Sequence, residues 1–271
     1  MAPKKIGIVG CGAIGSVLAK AISSGKVLGA RVAGLNDLNI EKAKNLANQL
    51  QPRPRVKELT ELVASSDLVV EAAQVEAVPD IAKVVLQQQK ALLVLSVSSL
   101  VIYPKLLDSF RKKKCLLHFP SGAIAGLDAL KAAAMSGNIQ QVSLNTCKTP
   151  KSLSGAPYIA KQSIDISKIK KVTTIFQGSA REAINSFPAN VNVAAAVSLL
   201  GLGPDKTVVQ IVADPKTEYN SHTLNVKGMF GEFTTITKNI PSQENSKTSY
   251  LAALSALALL VHLLRGEQTG T

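Results

Sequence analysis

The chain has 271 residues, a length that corresponds to one large domain or two domains of ordinary size. Hydrophobic residues make up 46% and charged residues 18%, so the composition excludes a globally disordered chain. The formal net charge of +13 favours contact with polyanions, yet the chain has six Phe, four Tyr and no Trp, which leaves few stacking platforms for single-stranded nucleic acid. We therefore expect no specific nucleic-acid partner.

Cysteine usage and hydropathy indicate the compartment. The three cysteines (Cys11, Cys115 and Cys147) are odd in number and lack CxxC spacing, which argues against a disulfide framework and against a zinc site. The apolar segment Leu251–Leu264 is shorter than the roughly 20 residues of a spanning helix and contains His262, so a buried helix is expected instead. With no export signal at the N-terminus, we expect a cytoplasmic protein without membrane contact.

Short β-branched runs alternate with longer helical stretches up to about residue 120. Continuous apolar strands separated by helices predict a parallel sheet that is covered on both faces, and therefore a doubly wound α/β domain of the Rossmann type. The predicted elements are strand Lys5–Val9, helix Ile14–Ser23, strand Arg31–Leu35, helix Ile40–Leu50, strand Leu68–Glu71, helix Pro79–Gln88 and strand Ala91–Val97.

From about residue 140, hydrophobic and polar residues alternate with period two. This pattern is typical of strands with one buried and one wet face, and it predicts a second domain of α+β type. The predicted strands are Val142–Thr146, Val172–Phe176, Thr207–Val212, His222–Val226 and Phe233–Thr237.

Two polar segments interrupt this pattern. Lys148–Tyr158 contains two prolines and Gly155, which predicts a loop. Ser242–Lys247 is a polar break before an apolar helix, Thr248–Arg265, which we expect to pack on the first domain.

A glycine-rich motif follows the first strand directly and opens the first helix. Gly10, Gly12 and Gly15 have the GxGxxG spacing of a dinucleotide-binding turn, with Ala13 and Ile14 inside it. The three glycines would provide a tight turn, close approach to the pyrophosphate, and helix-to-strand packing. The N-terminus of a helix then supplies N–H groups for the diphosphate.

An acid follows the second strand. Asp37 lies 22 residues after Gly15, where a carboxylate can accept both ribose hydroxyls of the adenosine half. A carboxylate repels a 2′-phosphate and no arginine follows at once, so NAD is the expected cofactor, with NADP left open. The alternative role for Asp37 is an N-cap for the helix that contains Glu41.

Two further strand ends carry polar side chains. Ser96 begins a hydroxyl-rich loop after an apolar strand, at the sheet edge where a nicotinamide ribose would lie. The alternative is an ordinary helix cap. Glu71 ends another apolar strand, where its carboxylate is either functional or simply solvated.

The later part of the chain offers a titratable candidate. Of the three histidines, His262 lies in the apolar C-terminal helix, whereas His222 follows Asn220 at the start of an alternating strand. Imidazole titrates near neutrality, so His222 is the candidate acid/base, against a purely structural alternative. Asn190 and Asn192 precede an apolar helix and could either cap it or bind a ligand amide, with capping the simpler interpretation.

Three segments outside the nucleotide motif are distinctive: Ser121–Asp128, Phe187–Ala195 and Asn245–Tyr250. Together they resemble the L-aspartate dehydrogenase family. The resemblance extends from the first strand to the last helix without a large insertion.

The resemblance implies two domains and an assembly. It predicts an NAD(P)-binding domain formed by residues 1–120 and 241–271, and a catalytic and oligomerisation domain formed by residues 121–240. An open-faced sheet of the second domain would pair protomers into a homodimer.

Site residues are also implied by the resemblance. The family's active-site histidine corresponds to His222, and its nicotinamide contacts correspond to Ala123 and Asn190, with Asn192 a close competitor. The chain departs from the family's pattern where Asn36-Asp37 replaces an aromatic-Asp pair. It departs again at Thr146-Cys147-Lys148, where the family often has Thr-Arg-Lys.

The predicted reaction is the NAD(P)-dependent oxidative deamination of L-aspartate to iminoaspartate, which hydrolyses to oxaloacetate and ammonia. The resemblance implies a role in NAD biosynthesis through quinolinate. Lys148 and Lys151 are candidates for pairing with the substrate carboxylates, and Ser121 and Asn220 are further substrate-binding candidates. The alternatives are a homoserine-dehydrogenase-like or sugar oxidoreductase, and a non-catalytic NAD-binding redox sensor.

Overall fold

The computed structural model describes residues 2–188, 191–241 and 249–265. The described chain forms two compact units. One contains the residues up to Pro120 together with the C-terminal residues from Ala253, and the other contains Ser121–Ala252.

The first unit is built on a five-stranded sheet in which every neighbouring pair of strands is parallel. The strand order is β2-β1-β3-β4-β5. From β1 the chain adds β2 on one side of the sheet and β3 on the other, so the strand order reverses between β1 and β3. Ligands of open α/β sheets bind at such a switch point. The strands are β1 Lys4–Val9, β2 Ala30–Asn36, β3 Leu68–Glu71, β4 Ala91–Val94 and β5 Leu117–His118.

Helices cover both faces of this sheet. One apolar cluster joins Ile6 and Ile8 to Leu18 and Leu46, and a separate cluster joins Val69 to helices on the opposite face. The doubly wound prediction is therefore confirmed. The helices are α1 Ala13–Ser23, α2 Ile40–Asn48, α3 Leu59–Ala64, α4 Val78–Gln87, α5 Ser99–Ile102 and α6 Lys105–Lys113.

Strand β4 is shorter than the predicted Ala91–Val97. It ends at Val94 because the backbone N–H of Ser96 turns to the Glu71 carboxylate, at 3.0 Å. A continuous apolar run does not reveal such a turn, because the residues stay buried after the strand has ended.

The second unit is built on a mixed five-stranded sheet with the order β10-β9-β6-β8-β7. Only the pair β6 and β8 is parallel, and the other neighbours are antiparallel. The strands are β6 Ile139–Lys148, β7 Thr173–Ser179, β8 Val208–Ala213, β9 Asn220–Gly228 and β10 Gly231–Asn239. The helices are α7 Leu127–Met135, α8 Pro150–Leu153, α9 Pro157–Lys161, α10 Ala180–Ser186 and α11 Asn192–Leu200.

The predicted loop Lys148–Tyr158 is wrong. Lys148 is the last residue of β6, and the segment after it contains α8 and the start of α9. Each proline occupies the first turn of a helix, where its missing N–H costs nothing, and Thr149 caps α8 by accepting from the Ser152 N–H. The prolines therefore begin helices rather than a loop.

The last helix, α12 Tyr250–Arg265, runs into the first unit. Its residues Ala256 and Leu260 are fully buried in the cluster that contains Leu18 and Leu46. Within the described residues, no helix combines the length and the apolarity that crossing a membrane requires.

We expect Leu260→Ala to destabilise the protein by about 2 to 5 kcal/mol, because it leaves a cavity in the core of the first unit. Leu254→Ala is the matched control, since Leu254 is on the same helix and is 36% exposed. The control should cost less than about 1 kcal/mol. Urea unfolding followed by circular dichroism measures both, and equal losses would contradict this packing of α12.

Candidate active site

The three glycines of the glycine-rich turn lack a side chain for different steric reasons. Gly10 has a φ of +96°, and a Cβ there would collide with the Ala72 carbonyl beyond β3. A Cβ on Gly15 would collide with the carbonyl oxygen of Gly10. At Gly12, no described atom beyond its immediate chain neighbours lies within 4 Å of the position that a Cβ would take. Gly10 and Gly15 are therefore required by the protein's own packing, whereas the space at Gly12 is open.

The open space at Gly12 fits a dinucleotide. Gly12 is the N-cap of α1, and no described side chain caps this helix. The first turn, which includes Ala13 and Ile14, carries no acidic residue. N–H groups without a capping side chain and the helix dipole favour an anion here, so this turn has the features that a pyrophosphate requires.

Asp37 lies just beyond β2 and is tied to the glycine-rich turn. Its Oδ2 accepts from the Cys11 N–H at 2.7 Å, and its Oδ1 accepts from the Asn39 N–H at 2.8 Å. The N-cap of α2 is Asn39, whose side chain accepts from the Lys42 N–H. The capping alternative for Asp37 is therefore wrong. Burial, followed by the Asp37 charge, raises the pKa of Cys11 to about 12, so this thiol stays protonated.

Glu71 connects the ends of β3 and β4 and is fully buried. Its carboxylate accepts from the Ala73, Leu95 and Ser96 N–H groups and from the Ser96 hydroxyl, at 2.8 to 3.1 Å. Burial raises the pKa of Glu71 to about 7, although these hydrogen bonds oppose the rise. Glu71 is thus a structural acceptor, not a solvated side chain, and the Ser96 hydroxyl donates within the protein.

A second polar group lies on one face of the sheet of the second unit. Alternation along β6 turns Thr146 and Lys148 inward, at the end of the apolar residues Val142 and Leu144. Thr146 is paired in register with His222 on β9, and His222 is paired with Thr237 on β10. The period-two pattern therefore brings Thr146, Lys148 and His222 to the same face; we call these three residues the polar triad.

His222 is 3% exposed, and its Nδ1 lies 3.0 Å from the Thr146 hydroxyl. Burial, followed by the nearby charge of Lys148, lowers the pKa of His222 to about 3. The imidazole is therefore neutral across the physiological range. The predicted acid/base role needs an imidazole that takes up a proton, and both burial and Lys148 oppose that uptake.

Lys148 is 4% exposed, and burial lowers its pKa to about 8. Lys151, the other predicted carboxylate partner, is exposed on α8. The neighbouring Cys147 lies on the opposite face of β6 from Thr146 and Lys148. Of the two lysines, the structure brings only Lys148 next to His222.

The loop that contains Ala123 is held by β10. Asn239 is buried, and its Nδ2 donates to the Ala123 carbonyl at 2.9 Å and to the Asn220 carbonyl at 3.1 Å. The Thr237 hydroxyl also donates to the Ala123 carbonyl, at 3.3 Å. Sequence reasoning missed Asn239, because an asparagine at the end of an alternating strand resembles a turn residue. Ser121, at the start of this loop, is exposed.

The remaining predicted residues are placed as follows. Asn190 lies outside the described residues. Asn192 is the first residue of α11 rather than its cap, which is Val191. Asn220 is 1% exposed and opens β9, which begins two residues before the predicted His222. Within the described chain, no cluster of His, Cys, Asp or Glu could hold a metal ion.

Comparisons with known proteins decide the family. Residues 128–263 match the family described as "Aspartate dehydrogenase, C-terminal", and residues 10–120 match "Homoserine dehydrogenase, NAD binding domain". A Methanosarcina mazei protein named L-aspartate dehydrogenase is 44% identical over 271 residues, which cover 98% of this chain and 99% of that relative. The chain belongs to the aspartate dehydrogenase family.

More distant relatives agree with this assignment. An L-aspartate dehydrogenase of Nitrosopumilus maritimus is 40% identical over 95% of each chain. The crystal structure of the Thermotoga maritima aspartate dehydrogenase aligns with a TM-score of 0.73 and 27% identity, and covers 98% of this chain and 99% of that one. A homoserine dehydrogenase structure from Thiobacillus denitrificans, at 15% identity and a TM-score of 0.63, shares the fold alone; it covers 98% of this chain and 74% of its own.

The depressed pKa of His222 predicts an acid-sensitive stability. The unfolded state takes up a proton below about pH 6.5, whereas the folded state resists protonation down to about pH 3, so stability is lost as the pH falls between these values. Between pH 7 and pH 4, the wild type should lose roughly 3 kcal/mol more than His222→Asn, at 1.36 kcal/mol per pKa unit. Urea unfolding at both pH values measures this difference. Thr223→Ser, next to His222 on β9, is the control and should behave like the wild type.

Proposed function

We propose that this protein oxidises L-aspartate with a pyridine nucleotide, giving iminoaspartate and then oxaloacetate and ammonia. The observation that carries the proposal is the polar triad, because it places a buried lysine and a neutral imidazole on one face in a chain of the aspartate dehydrogenase family. The names of relatives that are 40 to 44% identical support the same substrate. Iminoaspartate would supply quinolinate synthesis and hence NAD biosynthesis.

Each unit contributes its own chemistry. A bound nucleotide supplies a hydride acceptor at C4 of its nicotinamide ring. In the first unit, the N-terminus of α1 would bind the pyrophosphate and Asp37 the adenosine ribose. In the second unit, Lys148 would donate a hydrogen bond to a substrate carboxylate, and His222 would hydrogen-bond the substrate as a neutral imidazole. Asn220, Ser121 and Lys151 remain candidates for substrate contacts, and Ala123, Asn190 and Asn192 for nicotinamide contacts.

The preferred nucleotide in this proposal is NAD. Asp37 presents a carboxylate directly beyond β2, where it accepts from the backbone N–H groups of Cys11 and Asn39. A 2′-phosphate near this carboxylate would be repelled, whereas two ribose hydroxyls could donate to it.

We propose a cytoplasmic homodimer. The three cysteines are free thiols, which fits a reducing compartment. The outer face of the second sheet carries a polar network, including Asn145 Nδ2 to Gln210 Oε1 at 2.9 Å, and the edge strand β10 adds Ile236, which is 63% exposed. A face that mixes hydrogen-bonding groups with exposed apolar side chains suits pairing with its own copy.

An absorbance assay for reduced nucleotide tests the substrate. L-aspartate with NAD should give reduced nucleotide, whereas L-homoserine and myo-inositol should give none. His222→Asn should lower kcat by roughly 10², because the substrate loses a group that orients it. NAD affinity should barely change, because the glycine-rich turn and Asp37 are unaltered. Activity with homoserine or inositol alone would favour another oxidoreductase, and NAD binding without turnover of any substrate would favour a redox sensor.

Asp37→Ala tests the nucleotide preference. Loss of the carboxylate should weaken NAD by about 1 to 3 kcal/mol more than it weakens NADP, because only NAD has both ribose hydroxyls to donate. Fluorescence titration of both nucleotides measures the two affinities. Glu41→Ala, which removes an exposed acid on α2 with the same change in net charge, is the matched control. Equal weakening of NAD and NADP would remove Asp37 from this role.

A further inference from the structure

The second unit buries two ionisable side chains among its described residues, and they are neighbours. Lys148 ends β6, and His222 is paired with Thr146, two residues before Lys148 on the same face of that strand. Removing an ammonium group from water costs free energy, and lysine is seldom fully buried for packing alone. We therefore expect Lys148, next to His222, to have a chemical role in addition to contacting the substrate carboxylates.

Oxidation of an amino acid needs a proton acceptor before the hydride leaves. The α-amino group of L-aspartate is an ammonium group in water, and its nitrogen lone pair must be free to form the C=N bond. A suitable acceptor has a pKa near the working pH. The pKa of His222 is lowered to about 3, far below this range, whereas that of Lys148 is lowered to about 8.

We propose that Lys148, as a neutral amine, accepts the proton of the substrate ammonium group, and that His222 stays neutral and orients the substrate. This inference rests on the proposed function and assigns the proton transfer within it. The contact of Thr146 with His222 supports an orienting role for the imidazole, because the Thr146 hydroxyl lies 3.0 Å from His222 Nδ1 and fixes one edge of the ring.

Atoms and electrons balance in this reaction. The lone pair of Lys148 Nζ forms a bond to a proton of the substrate ammonium group, and that N–H bond breaks, which leaves a neutral substrate amine and a lysine ammonium group. The Cα–H bond would then break, and its hydrogen would leave with the electron pair as hydride, for which a bound oxidised nucleotide would supply the acceptor. The amine lone pair forms C=N, so the product is the protonated form of iminoaspartate, and water then releases ammonium and oxaloacetate. The lysine ammonium group returns its proton to solvent before the next turnover.

The charged surroundings of Lys148 are compatible with this cycle. On β9 the nearby ionisable group is His222, which is neutral. Beyond β8, Asp214 donates its backbone N–H to the Lys148 carbonyl, while the carboxylate of Asp214 acts on the pKa of Cys147. Helix α11 carries no ionisable side chain. Burial lowers the pKa of Lys148 to about 8, because removal from water opposes the charged ammonium form.

Chemical rescue separates a proton acceptor from a fixed positive charge. Lys148→Ala should lower kcat by roughly 10² to 10⁴ with L-aspartate. Added methylamine or ethylamine should restore part of the rate, with an efficiency that depends on the basicity of the amine. Lys148→Arg, which keeps the charge but cannot release a proton, should stay as slow as Lys148→Ala. Lys161→Ala, which removes an exposed lysine on α9, is the matched control and should keep most of the activity and show no rescue.

The pH dependence gives a second test. In the wild type, kcat should rise with pH through about 8 as Lys148 loses its proton, and Lys148→Met should lack this limb, whereas slow His222→Asn should retain it. NMR of protein with ¹³C-labelled lysine should show one side chain titrating near pH 8, and that signal should be missing in Lys148→Met. This readout does not depend on activity or on the nucleotide.

Several results would overturn the inference. These are a Lys148→Arg variant with near-normal kcat, a Lys148→Ala variant that no amine rescues, and a lysine signal that does not titrate near pH 8. A wild type that does not oxidise L-aspartate at all would overturn the proposed function instead, so the two failures are distinguishable.

Discussion

Burial of the polar triad on the inner face of the second sheet is the constraint on which the proposed chemistry depends. In water, histidine would be the proton acceptor near neutrality and lysine would stay charged. Removing both from water reverses these roles, because burial opposes the charged form of each group and the charge on Lys148 opposes protonation of His222 further. Alternation along the strands buries these side chains. On β6, Thr146 and Lys148 follow Val142 on the inward face, and on β9, His222 lies on the same inward face as Val226.

The first unit depends on a different constraint, which is close backbone packing at the switch point of its sheet. Gly10 and Gly15 lack side chains because the protein's own backbone fills the space, whereas Gly12 leaves room beside an uncapped helix N-terminus. Asp37 and Glu71 are acids at the ends of β2 and β3, the two strands that flank β1, and they have different roles. Asp37 is half-buried beside the turn, whereas Glu71 is buried and ties two strand ends together through backbone N–H groups.

Local sequence patterns predicted the doubly wound sheet, the alternating strands and the glycine-rich turn, because each has a period or spacing set by backbone geometry. Sequence reasoning could not predict contacts that depend on register between distant strands. The pairing of Thr146 with His222 spans 76 residues, and that of Asn239 with Ala123 spans 116. For the same reason, the sequence indicates His222 as a candidate but does not indicate its lowered pKa. That pKa depends on the burial of the imidazole and on the nearby charge of Lys148, which exist only once the strands have paired.

The central claim is that this protein moves a hydride from Cα of L-aspartate to a nicotinamide. The most direct measurement uses L-aspartate that carries deuterium at Cα, with NAD as the oxidant and mass spectrometry of the reduced nucleotide as the readout. We expect NADH that carries one deuterium, together with unlabelled oxaloacetate. Reduced nucleotide without deuterium, or no reduced nucleotide at all, would contradict it.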